Sequence, residues 1–262
     1  MRVEILRGRK TSSSAEPMLA GIAKAAQAAG DEVIETRKFH GGCDCLVLFG
    51  VGAAVHDQAR RAQLKRGGRV VSWDLGYFGR AKATGFLRLS IDKDHPQHLL
   101  DRTSPDPTRW ERFGIELRAD GDPAGPILLI GLGPKSRRYL HHADWELHKL
   151  IELEKRFPGR QVLHRPKPGH EYPKLRCERD TDTPIDELLK GCSLVVCHHS
   201  NVAVDAAVAG VPFEASDGAA VWLAERPYTP ENRLDFLRRL AWWQWKATEA
   251  GEAWPFIKEM LA

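Results

Sequence analysis

Apolar and polar positions fall into a repeating block pattern. Short apolar runs recur along the chain, separated by longer amphipathic or alanine-rich stretches. In the first half, Val3–Leu6, Glu32–Glu35, Cys45–Gly50 and Arg69–Asp74 read as strands. The Cys45–Gly50 run is apolar enough to be buried on both faces, as in a parallel sheet. Pro17–Ala29 reads as a helix closed by Gly30, and a second helix runs from Gly52 to about Lys65, closed by Gly67-Gly68. Leu87–Ile91 alternates like a half-exposed strand.

The second half repeats the scheme. Ile127–Gly131, Gln161–Arg165, Val195–Cys197 and Val211–Glu214 predict strands. Ala143–Phe157 has helical spacing through Trp145, Leu147, Leu150, Ile151 and Leu153. Pro184–Lys190 predicts a helix with Thr183 as its N-cap. A small-residue helix follows the Val195 strand and stops at Gly210-Val211-Pro212. Leu234–Ala250 predicts one long helix carrying Trp242, Trp243 and Trp245. Strands alternating with helices imply mostly parallel sheets. The turn-rich stretch Arg118–Pro126 marks a boundary, giving units of residues 1–122 and 123–262, with the last helix packing back on the first.

Composition narrows the picture only a little. The 262 residues can bury a sizeable core. The net charge of +4 permits an anionic partner without requiring one. No run of apolar residues is long enough to span a bilayer, and Met1–Leu6 begins strand-like, without the apolar region of a signal peptide. Five scattered cysteines fit free thiols in a reducing, cytoplasmic setting, and the Cys43-Asp44-Cys45 spacing is not that of a zinc site. No metal is expected.

The chemistry concentrates in Val195–Pro212. A strand, a polar turn His199-Ser200-Asn201 and a helix start are the arrangement in which α/β sheets hold phosphorylated ligands. Ser200 and Asn201 can donate to a phosphate, and the helix dipole adds about half a positive charge. Asp205 lies one turn into the helix, within reach of a ribose. The plainer reading is a capped helix ended by glycine. Capping leaves unexplained the adjacent His198-His199 and an acid inside a small, apolar helix.

Other strand ends add to it. Arg165 and Lys167, stiffened by Pro166 and Pro168, can neutralise a diphosphate; alone they read as a solvated loop. Gly131, Gly133 and Lys135 form a glycine loop that lets backbone approach a phosphate, without the spacing of a Walker loop or a dinucleotide fingerprint. In the first half, Asp74 at a strand end suits a general base, and a helix cap is the plainer alternative. Tyr77 can stack on a ring or fill the core. Gly50, Gly52, His56 and Arg80 sit on the same side of that sheet and suit acceptor binding.

Two α/β units with a phosphate-ready second unit resemble the GT-B glycosyltransferase architecture, two Rossmann-like domains facing a cleft. The marks are His199-Ser200-Asn201, Asp205-Ala206 and Gly210-Val211-Pro212, with Asp205 where glutamate is usual. Epimerases on the same fold share much of this motif. The chain is also similar to small phage-type proteins that carry an Asp-Leu-Gly-Tyr turn, here Asp74–Tyr77. They also have an Arg-Pro-Lys-Pro segment, here Arg165–Pro168, and a His-His-Ser-Asn-Val-Ala-Val-Asp segment, here His198–Asp205. The resemblance implies a metal-independent, inverting glycosyltransferase in the infected host's cytoplasm. Its donor would be a nucleotide sugar, UDP-linked by preference, and Asp74 would be its base. It further implies DNA as partner, through the hydroxymethyl group of 5-hydroxymethylcytosine or 5-hydroxymethyluracil, with Arg60-Arg61, Lys65-Arg66 and Arg80–Lys82 gripping phosphates. A glycan acceptor, a nucleotide-sugar epimerase and a non-catalytic nucleotide- or DNA-binding module remain the alternatives.

Overall fold

The computed structural model describes residues 1–8, 15–50, 54–78, 85–133, 136–137, 144–167 and 174–262. Two compact units are present: Met1–Phe113 with Arg239–Ala262, and Gly114–Arg238. The division falls before the turn-rich stretch expected to carry it. That stretch is tied into the second unit by backbone: Arg118 and Asp120 donate to Val208 and Ala209 carbonyls, and Asp122 donates to Cys192. The chain's last residues return to the first unit.

In the first unit six strands form one sheet: β1 (Arg2–Leu6), β2 (Glu32–Thr36), β3 (Cys45–Phe49), β4 (Arg69–Leu75), β5 (Leu87–Ile91) and β11 (Gln244–Trp245). The order is β11-β5-β4-β3-β1-β2. β2, β1, β3 and β4 are parallel, whereas β5 pairs antiparallel with β4 and β11 antiparallel with β5. The uniformly apolar β3 and the Val3–Leu6 part of β1 are covered on both faces, with Ile5, Leu46, Val47 and Leu48 fully buried. Each such side chain contributes about 1.5–3 kcal/mol relative to exposure. The connections from β1 leave toward β2 on one side and reach β3 and β4 on the other. The switch point is therefore β1/β3.

The expected long helix over Leu234–Ala250 does not form. A helix spans Pro230–Ala241, Gln244–Trp245 adds a strand to β5, and a separate helix spans Ala250–Leu261. Tertiary pairing overrides the local helical pattern. The β5 edge would otherwise leave backbone groups unmet, and Leu89 N–H donates to the Trp243 carbonyl at 2.7 Å. Gln244 is buried, and its Oε1 accepts from both the Tyr77 and Phe78 N–H groups.

The second unit has five parallel strands: β6 (Ile127–Ile130), β7 (Val162–Arg165), β8 (Glu178–Arg179), β9 (Leu194–Cys197) and β10 (Phe213–Ala215). Their order is β10-β9-β6-β7-β8. The chain steps from β6 outward through β7 and β8, then crosses to β9 and β10 on the other side. The switch point is β6/β9, and ligands of such sheets bind outside the strands' carboxyl ends at that place. Helices Trp145–Arg156, Ile185–Gly191 and Val202–Ala209 flank this sheet. Thr183 does not cap the Ile185–Gly191 helix. Pro184 occupies that place, and the Thr183 hydroxyl donates to Asp180 instead.

Candidate functional site

The Val202–Ala209 helix is built to sit close to the sheet. Ala203, Ala206, Ala207 and Ala209 are fully buried. Its end is firmly fixed. Gly210 has φ +89°, and its N–H and that of Val211 both donate to the Ala206 carbonyl. A β-carbon at Gly210 would lie 2.5 Å from the Arg118 carbonyl oxygen. The buried Arg233 donates to the Ala207 and Val208 carbonyls, satisfying the helix's last turn. At the other end, Ser200 Oγ accepts from Val202 N–H at 3.2 Å. Asn201 makes no side-chain cap, so its amide is not consumed by the helix. Asp205 is partly buried in the first turn.

The loop after β6 stands beside this turn. Gly131 N–H donates to the Arg165 carbonyl, continuing the ladder to β7. Gly133 leaves room for Lys167, whose Cδ and Nζ lie 3.3 and 3.7 Å from the place of a β-carbon on that glycine. Gly131, Gly133 and Lys167 are thus brought together. Arg165 is drawn elsewhere: its guanidinium pairs with Asp180. Hydrogen bonds from Thr183 hold the Asp180 carboxyl below its usual value despite some burial, and the Arg165 charge adds to this. His164, one residue earlier, is fully inside the sheet. Burial first, then the charges of Arg179 and Arg137, pushes its pKa down to about 4.

Three residues outside the expected set belong to this edge. Ser136 Oγ lies 2.8 Å from His199 Nε2, and His199 Nδ1 lies 3.0 Å from His198 Nδ1. Glu146 is buried at the start of the Trp145–Arg156 helix, where it accepts from Leu132 N–H at 2.7 Å and pairs with Arg137. The sequence carried a trace of Glu146: with Leu150 and Leu153 it falls on the helix's buried stripe, an acid in an apolar position. Ser136 carried none, because its partner is 63 residues away.

In the first unit, Asp74 sits at the carboxyl end of β4 with its side chain 42% exposed. Oδ2 accepts from Arg88 at 3.1 Å and Oδ1 from Leu75 N–H at 2.8 Å. Gly50 is next to it, its N–H donating to the Trp73 carbonyl. His56 Nδ1 lies 3.0 and 2.9 Å from the Phe49 and Gly50 carbonyls. Both partners are acceptors, so Nδ1 carries the proton and neutral His56 has its lone pair on Nε2. Tyr77 does not offer a stacking face. It is 1% exposed, its hydroxyl bonded to His95 Nδ1 at 2.7 Å. Phe78 likewise turns inward, edge-on to Trp110 and Phe113. The two N–H bonds to Gln244 point this turn toward the core. Gly52, Arg80 and Lys135 lie outside the described residues, as does the Arg80–Lys82 run.

Two of the arginines expected to grip phosphate are ion-paired. Arg60 pairs with Asp94 at 3.1 Å and Arg61 with Asp57 at 2.9 Å. Among the described residues, no helix is long and apolar enough to cross a membrane, and no group of three or more His, Cys, Asp or Glu side chains is placed to hold a metal ion.

Two Rossmann-like α/β units in one chain make up a GT-B-like fold. The chain is similar to the β-Kdo 2,4 transferase of KpsC from Thermosulfurimonas dismutans, with a TM-score of 0.52 and 10% identity over 91% of this chain and 90% of that one. It is also similar to the β-Kdo 2,7 transferase of the same KpsC, with a TM-score of 0.51 and 13% identity over 98% and 100%. No protein-family model matches the sequence, and no curated protein does.

Proposed function

We propose that the chain is a glycosyltransferase that moves a sugar from a nucleotide sugar, UDP-linked by preference, to a hydroxyl acceptor. The observation that carries this reading is the carboxyl edge of β6 and β9. There a glycine loop crossed by Lys167 stands beside a helix start whose Asn201 amide is uncommitted. Gly131, Gly133, Lys135, Lys167, His199, Ser200 and Asn201 would hold the donor's phosphates, Arg165 would add charge from the β7 end, and Asp205 would take the ribose. Protein cations and helix dipole stabilise the leaving phosphate in this scheme, without a metal.

Asp74 is proposed as the base for an inverting displacement. Arg88 orients one carboxylate oxygen, and the other has a single backbone donor. The acceptor C1–O bond forms as the C1–O bond to phosphate breaks, with the acceptor proton passing to Asp74. Gly50, Gly52, His56 and Arg80 would line the acceptor side.

For the acceptor, the sequence resemblance supports hydroxymethylated pyrimidine in DNA, acted on in the cytoplasm of an infected host. A glycan hydroxyl is the second reading. It is favoured by the ion pairing of Arg60 and Arg61, which lowers the charge available to phosphates, and by the similarity to two Kdo transferases. The test is mass spectrometry of products after offering a panel of nucleotide sugars with hydroxymethylcytosine DNA, hydroxymethyluracil DNA or an oligosaccharide. Transfer to any acceptor supports the enzyme reading and identifies the acceptor. Donor interconversion with no acceptor would mean an epimerase, and donor binding with no turnover a binding module.

A further inference from the structure

Ser136, His199 and His198 form one continuous hydrogen-bonded chain in the second unit. It joins the loop after β6 to the turn after β9, on either side of the β6/β9 switch point. The pair is held firmly. Trp145 packs edge-on to His198 with ring centroids 5.8 Å apart, and Asp217 N–H donates to the His198 carbonyl at 2.7 Å. A β-carbon on Gly218 would lie 3.3 Å from His199 Cα, so backbone closes in behind it.

Two facing Nδ1 atoms can share one proton only, because one must donate and the other accept. The tautomers of the neutral rings are therefore coupled, and the chain has two polarities. In one, the Ser136 hydroxyl donates to His199 Nε2, His199 Nδ1–H donates to His198 Nδ1, and His198 carries its proton on Nε2. In the other, His198 Nδ1–H donates to His199 Nδ1, and His199 Nε2–H donates to Ser136 Oγ. The Ser136 hydroxyl hydrogen is then released to point outward. Only the second polarity offers that hydrogen to an anion.

We infer that Ser136 is a ligand of the nucleotide phosphate, with His199 and His198 as its positioning residues, and that a bound phosphate selects the second polarity. This rests on the reading of the second unit as the donor site. On binding, His198 loses its Nε2 proton to water, the shared proton passes from His199 Nδ1 to His198 Nδ1, and His199 Nε2 takes one from water at the phosphate end, so net protonation is unchanged. The histidine pair thereby acts as a brace that turns a hydroxyl outward when an anion arrives.

The experiment is nitrogen-15 imidazole NMR of the wild-type protein, free and saturated with whichever of UDP, GDP and CMP binds most tightly by calorimetry. The bound state is expected to show His198 protonated on Nδ1 and His199 on Nε2. Calorimetry on variants supplies a second readout. Ser136→Ala should weaken nucleotide binding about tenfold to a hundredfold, the range for a hydrogen bond to a charged group, and Ser136→Thr should restore it. His198→Asn, whose amide can present an N–H at the Nδ1 position, should bind more tightly than His198→Phe. A bound state with His199 unprotonated on Nε2 overturns the inference and leaves the donor reading standing. So does Ser136→Ala binding like wild type, or a Thr variant no better than Ala. If the wild type binds none of the three nucleotides, the donor reading fails and the inference falls with it.

Discussion

Lys167 lies across Gly133, its Cδ 3.3 Å from where a β-carbon on that glycine would stand. The lysine of the β7 end thereby serves the loop of the β6 end. Lys167→Ala should weaken nucleotide binding about tenfold and reduce its salt dependence. Gly133→Val should mimic part of that loss by displacing the lysine. Arg165→Ala should behave differently, because its guanidinium is committed to Asp180. Its main cost should be about 1 kcal/mol of stability, with a smaller change in affinity. Calorimetry and urea unfolding on the three variants separate the effects.

Asp74→Asn should lower transfer about a hundredfold or more, the scale of general-base catalysis, while nucleotide affinity stays at the wild-type value. Arg88→Ala should lower transfer less, since it removes only the group that orients Oδ2. Steady-state kinetics on both variants tests this. Full activity in Asp74→Asn together with loss in His56→Asn would transfer the base role to His56 Nε2.

Gly210→Ala should destabilise the protein by about 1–3 kcal/mol, the cost of a non-glycine residue held at positive φ. The contact with the Arg118 carbonyl adds to that cost, because the obstructing atom is backbone. Thermal unfolding measures it. A wild-type melting temperature in this variant would mean that the turn relaxes freely.

Stability should fall as pH drops from about 6.5 to about 4, with His164 the main reason and His98, also held low by burial, acting in the same direction. The folded pKa of His164 is about 4 against an ordinary 6.5. As pH falls, the unfolded chain takes up the proton first, so protons favour unfolding throughout that window. The full difference is worth about 3 kcal/mol. Asp31, Asp180 and Glu249 are held below their ordinary values, so their contributions are present at neutral pH and lost only at lower pH. Urea unfolding across pH should give a flatter curve for His164→Gln. Identical slopes in wild type and variant would remove His164 as the cause.

The elements that were legible in the sequence are those whose pattern is complete in itself. Cys45–Phe49 is an unbroken apolar run, and it is a buried strand. Ala203 to Ala209 with Gly210 and Pro212 is a slim helix with a glycine stop, and it folds as one. Trp242–Trp245 misled because its structure is decided by pairing with β5, a strand far away in the chain. Tyr77 looks like a ligand-facing aromatic until Gln244 is seen to accept the N–H groups of both Tyr77 and Phe78. In the candidate site, Ser200 and Asn201 stand out by their place between strand and helix. Ser136 does not, because only the folded sheet brings it to His199.

The bond from Tyr77 N–H to Gln244 Oε1 joins residues 167 positions apart, and it has a bearing on the order of synthesis. The second unit, Gly114–Arg238, is continuous in the chain and is complete as soon as it leaves the ribosome. The first unit is begun before the second and finished after it, since β11 and the Ala250–Leu261 helix follow Arg238 in the chain. Newborn chains must therefore keep an open β5 edge out of trouble while the later unit folds ahead of the earlier one.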